Sequence, residues 1–181
     1  MKNPLSEFSI PLLGLKKESY EFDFQLDKSF FASFEDSYIQ DGDIQVNLQL
    51  ERKTGHLELN FDFEGTVKTD CDRCSTSINL PIEGNEQIIA KYSEETQEDE
   101  DEIIFIHPET SELNVAQYIY EYINLAVPIR KVYDCENDEN PPCDFETLAF
   151  LEQQSNEKEN NDDDDDDGSD TWDVLKNISV N

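Results

Sequence analysis

The stretch that decides the fold is residues 43–63, DIQVNLQLERKTGHLELNFDF. Ile44, Val46, Leu48 and Leu50 alternate with polar residues, and Leu57, Leu59, Phe61 and Phe63 do the same after Lys53-Thr54-Gly55. Successive side chains of a strand point to opposite faces, so each run has one apolar and one polar side. Two such runs around a short Gly-containing turn predict a β-hairpin.

Working outward, Tyr20, Phe22, Phe24 and Leu26 alternate with Glu21, Asp23 and Gln25 and predict a strand before the hairpin. Between them Phe30, Phe31 and Phe34 follow Asp27 at helical spacing, which predicts a short helix or turn capped by that aspartate. After Phe63 the pattern continues through Gly65, where a bulge is expected, to Val67 and into Cys71-Asp72-Arg73-Cys74. Ile78, Leu80 and Ile82 alternate again, so the CxxC unit is expected to join two strands. The base-free stretch 93–102 predicts a solvent loop before a strand over 103–106.

Asn114 and Gln117 have capping-box spacing, and Val115, Tyr118, Ile119, Tyr122, Ile123 and Ala126 recur at helical intervals up to Pro128. This is the main helix. A further short helix is expected from Asp144 to Leu151. Beyond the run Asp162 to Asp167, Trp172, Val174, Leu175 and Ile178 mark a short amphipathic segment, read as docking back on the domain or binding a partner. The expected organisation is a core over 1–133, an acidic flexible region over 134–169 and this segment over 170–181. The fold class is α+β: a hairpin-rich antiparallel sheet, one main amphipathic helix packed on it, and an acidic, largely disordered C-terminal tail.

The chain has 181 residues, with 13 lysines and arginines against 44 aspartates and glutamates, a formal charge of -31. Nucleic-acid affinity normally comes from cations that neutralise phosphates, so extensive direct RNA or DNA contact is disfavoured and a basic protein partner is favoured. The N-terminus lacks the continuous apolar run of an export signal, and no window suits a membrane helix, which points to the cytoplasm.

Four cysteines without an export signal suggest thiols or metal ligands rather than a disulfide scaffold. Cys71 and Cys74 have zinc-knuckle spacing; Cys135 and Cys143, separated by seven residues, are the candidate second pair of a Cys₄ site for one zinc ion. His56 and His107 could substitute, although lone surface histidines explain both. The redox alternative needs a thiol with a lowered pKa, and Asp70 and Asp72 oppose thiolate formation. A tight turn with unligated thiols is the third alternative. No phosphate loop, GxSxG or HExxH occurs, so no enzyme and no small-molecule substrate is expected.

In order, the hairpin into Cys71-Asp72-Arg73-Cys74, the helix end Tyr120-Glu121-Tyr122-Ile123-Asn124-Leu125-Ala126-Val127-Pro128, Cys135, and Trp172-Asp173-Val174-Leu175-Lys176 resemble the YceD family of large ribosomal RNA subunit accumulation proteins. The resemblance implies a bacterial cytoplasmic accessory factor for synthesis, processing or stability of 23S rRNA. Its expected partner is a basic ribosomal protein or the assembling large subunit. Candidate partner-binding residues are Arg73, Glu121, Trp172, Leu175 and Lys176. The alternative is a zinc-knuckle RNA-binding module in which Arg52, Lys53, Lys68 and Arg73 form a local positive face.

Overall fold

The computed structural model describes residues 4–159 apart from 36, 96, 97 and 99–101. It divides into two units, residues 1–142 and 143–181. The first is built on a five-stranded sheet ordered β2-β3-β4-β5-β6: β2 (Ser19–Leu26), β3 (Gly42–Arg52), β4 (His56–Asp70), β5 (Ser77–Tyr92) and β6 (Ile103–Ile106). The first four strands pair antiparallel, whereas β6 pairs parallel with β5. A two-stranded sheet joins β1 (Ser9–Pro11) to β7 (Glu112–Asn114), an N-terminal strand that alternation over so few residues does not announce.

The predicted hairpin is the centre of this sheet. Ile44, Val46, Leu48, Leu50 and Phe61 are fully buried, and Leu57 and Leu59 nearly so. Removing such side chains from water contributes about 1.5–3 kcal/mol each, which fixes which face turns inward. Contrary to the expected bulge, β3 and β4 pair one to one through Gly65, opposite Ile44. Gly65 serves close approach instead: its φ is +155°, and an added Cβ would lie 2.6 Å from the Ile44 Cα and closer still to the Asp43 carbonyl. β5 is likewise continuous over 16 residues, and the space above Gly84 is taken by the Phe63 ring.

The aromatic residues at helical spacing close one edge of the core. α1 (Lys28–Phe31) is capped as expected, Asp27 accepting from the Ser29 and Phe30 amides. These bonds hold the Asp27 carboxyl below its ordinary value, the Ser29 side chain being the first cause. Phe30 packs against Phe8, Phe31 and Phe34, and Phe34 stacks on Tyr120 with centroids 4.0 Å apart.

Tyr120 belongs to α2 (Ala116–Ala126), which packs on the sheet through buried Ile119 and Ile123 and through Tyr122 against Phe61. Its start differs from the capping-box expectation. Asn114 accepts from the Ala116 amide, while Gln117 donates to Glu121 one turn on. Burial, with Glu86 and Glu121 nearby, pushes the Tyr122 phenol up, so it stays protonated.

The second unit is described through α3 (Phe145–Glu159), longer than expected and capped by Asp144, which accepts from the Glu146 and Thr147 amides. Phe145 and Phe150 are exposed on it. The tail, including the expected segment 170–181, lies outside the described residues. No helix among the described residues is long and apolar enough to cross a membrane.

Candidate functional site

The CxxC unit sits where the hairpin reading put it, at the turn between β4 and β5. Pairing runs without a skipped residue to Asp70 opposite Ser77. The Cys71 amide donates to the Thr76 carbonyl and the Ser75 amide to the Cys71 carbonyl, both at 2.8 Å. This tight reversal places Ser75 at a φ of 57°, in the left-handed region. Cys71 and Cys74 are buried thiols, 2% and 5% exposed, while Asp72 and Arg73 between them are exposed.

Asp72 fastens the chain that leaves α2 to this turn. Its amide donates to the Lys131 carbonyl and its carboxylate accepts from the Lys131 amide, each at 2.7 Å, with the Lys131 ammonium 3.7 Å from the other carboxylate oxygen. One backbone–backbone bond and one from a backbone amide to a carboxylate fix an arm of the chain beside the turn, and Cys135 lies four residues further along it. The arm is stiffened locally. Tyr133 donates to Asp138, and Asn137 donates to Asp134 at 2.6 Å. The Tyr133 phenol is accordingly raised, first by the bond to Asp138, and the Asp134 carboxyl lowered, first by the bond from Asn137.

Of the four candidate zinc ligands, Cys71 and Cys74 share the turn, Cys135 is on the arm, and Cys143 begins the second unit. Cys71 and Cys74 are free thiols, whereas Cys135 is oxidised. Among the described residues no three His, Cys, Asp or Glu side chains form a group that could hold a metal. His107 accepts from the Glu109 amide and His56 lies 3.4 Å from Glu58, both at turns.

The proposed positive face does not assemble. Arg52 and Lys53 lie at the β3–β4 turn, where Arg52 donates to the Leu15 carbonyl and Lys53 pairs with Glu51 and Glu58. The bond that Lys53 donates to Glu51 is the first cause raising the Lys53 ammonium. Lys68 and Arg73 are near the far end of β4, twelve residues and about 40 Å of strand away. Arg73 and Glu121 are exposed; Trp172, Leu175 and Lys176 lie outside the described residues.

What alternation alone did not reveal is the pattern on the other face of the sheet. Four strands in register set side chains side by side in rows: Asp23, Asn47, Asp62 and Asn85 in one, Gln25, Gln45, Glu64 and Glu83 in the next. Amides hold carboxylates within these rows and across them. Asn47 donates to Asp23 at 2.9 Å, Asn85 to Asp62 at 2.6 Å, and Gln25 to Asp43 at 2.6 Å. Glu64 and Glu83 are directly opposed in the ladder, and neither side chain has a hydrogen-bond or ion-pair partner among the described residues. Like charges directly opposite on neighbouring strands are unfavourable.

Two adjoining open concavities of about 720 and 700 Å³ lie over this face. Asp23, Asp62, Glu64 and Glu83 line the first and Asp43, Glu64 and Glu83 the second; neither lining contains a lysine or arginine. The signal for these rows was present in the two turns, since turn length fixes register and register fixes neighbours.

Comparison with known proteins now bears on this geometry. Neither a curated protein nor a solved structure matches the chain. The family model described as large ribosomal RNA subunit accumulation protein YceD matches residues 59–179, a span that takes in β4 from Leu59 on, the CxxC turn, β5, α2 and the arm. With two-thirds of its length matched, and as the CxxC unit and the helix end lead one to expect, this chain belongs to the YceD family.

Proposed function

We propose that this chain is a non-enzymatic accessory factor supporting the synthesis, processing or stability of large-subunit ribosomal RNA. It acts by binding a basic ribosomal protein or a basic surface of the assembling large subunit. The observation that carries the reading is the family match over residues 59–179, whose description names large ribosomal RNA subunit accumulation. The charge of -31 supports the mode of action. A protein so acidic is repelled by phosphate backbones and steered toward cationic surfaces. Arg73, Glu121, Trp172, Leu175 and Lys176 are the candidate contacts that the family motifs suggest.

Affinity capture from a bacterial lysate, at low and at moderate salt, tests this. Large-subunit proteins or precursors should be retained, less strongly as salt rises. Recovery of neither under either condition would sink the reading.

A second reading, a zinc-organised knuckle that contacts RNA, is favoured by the reciprocal Asp72–Lys131 bonds that fasten the Cys135 arm beside the turn. Cys71, Cys74, Cys135 and Cys143 are the four ligands that sequence suggests, and since no three described side chains form a group that could hold a metal, the thiolates would have to be drawn together by the ion. Cys135 is disulfide-bonded in the structure, so the site requires its reduction. Metal analysis of full-length protein purified under thiol reductant and without chelator decides it: stoichiometric zinc is expected, and its absence removes the knuckle.

A further inference from the structure

We infer that the open face of the β2–β5 sheet is the surface that receives a lysine- and arginine-rich polypeptide segment. The inference rests on the function proposed above and assigns the contact to a built surface rather than to the acidic loops or tail. Three features of the face point to such an occupant.

The first is charge. The side chains lining its two concavities include the carboxylates Asp23, Asp43, Asp62, Glu64 and Glu83 and no cation. The other bases of these strands lie at their ends: Arg52 by the β3–β4 turn, Lys91 opposite His56, and Lys68 toward the CxxC turn. A phosphate-bearing ligand is therefore repelled across the middle of the face and a cationic one attracted.

The second is preorganisation. Asp23, Asp62 and Asp43 are each oriented by an amide of a neighbouring strand, Asn47, Asn85 and Gln25. Fixed acceptors on rigid strands lose less side-chain freedom on binding than carboxylates on a loop.

The third is the opposed pair Glu64 and Glu83 at the centre, in both concavities. Like charges directly opposite are unfavourable, no described cation pairs with either side chain, and a guanidinium or ammonium placed between them would offset that. Same-face residues in an extended segment recur every 6.6–6.8 Å, about the spacing of the rows. A segment with bases at alternate positions would thus meet successive rows.

The test compares two full-length variants that each remove three charges. D62N/E64Q/E83Q neutralises the face; D162N/D164N/D166N neutralises part of the tail run. Each is titrated with proteins stripped from purified large ribosomal subunits and freed of RNA, at fixed ionic strength. The face variant is expected to lose about tenfold in affinity, three exposed charge contacts together, and the tail variant less than about threefold. Equal losses, or a larger loss in the tail variant, would overturn the inference while leaving the function standing. No binding by the unaltered chain would remove both. Thermal melting establishes that the face variant is folded; if it is not, E64Q and E83Q are measured singly, each with an expected loss of about twofold.

Discussion

The two faces of one sheet, made by the same four strands one residue out of phase, differ completely in what they do. On one face Ile44, Val46, Leu48, Leu50 and Phe61 are fully buried under α1 and α2. On the other, carboxylates and amides line open concavities. The difference teaches that fold and recognition are separable here: the buried face supplies the free energy of folding, and the polar face is available for charge-based selection of a partner.

The comparison breaks most completely from the buried side. Phe61→Ala deletes a ring that packs against Tyr122 and is wholly inaccessible. It is expected to cost about 3–5 kcal/mol in urea denaturation, a large part of a typical domain's stability. Gly65→Ala attacks the continuity that keeps the faces apart, since φ at +155° and the nearby Ile44 Cα leave no room for a Cβ. A loss of about 1–3 kcal/mol is expected, measured as a fall in the denaturation midpoint.

Asp27→Ala loosens α1, which carries Phe30 and Phe31 onto the buried face, by about 1 kcal/mol. Because the Asp27 carboxyl is lowered from 3.8 by folding, its contribution is fully present above that pH and is lost as pH falls through the lowered value. The stability difference between wild type and variant should therefore shrink in acid. Glu83→Gln sharpens the comparison from the polar side. Removing one member of the opposed glutamate pair should raise stability by a few tenths of a kcal/mol, and less at high salt.

Much of this was legible in the residues. The four alternating runs, the Asp27 cap, the helix ending before Pro128 and the β-to-β placement of Cys71 and Cys74 all follow from periodicity and turn chemistry, which are local. The β1–β7 ladder escaped because three-residue strands have too little alternation to register. The Gly65 bulge was misread because a glycine in a strand signals either an extra residue or a close approach, and only the partner strand distinguishes them. The capping box at Asn114 gave way to a different bond because Gln117 found Glu121 one turn on.

For the candidate site the division is sharper. The net charge was plain from composition, and the proposal of a basic partner over bare nucleic acid rests on it. The positive face of Arg52, Lys53, Lys68 and Arg73 failed because proximity in sequence motifs ignores the length of β4, which sets the two pairs about 40 Å of strand apart.

The sequence by itself determined which residues of each strand turn inward, since a period of two and the free energy of burial leave no alternative. It also determined the acidity and the family to which the chain belongs. Only the tertiary structure decided which polar residues stand beside one another: Glu64 against Glu83, Asp62 beside Asn85, Asp72 bound to Lys131. The first two are brought together by strand register, which the turns constrain but only strand pairing realises, and the third by the path of the chain after α2, which long-range packing settles.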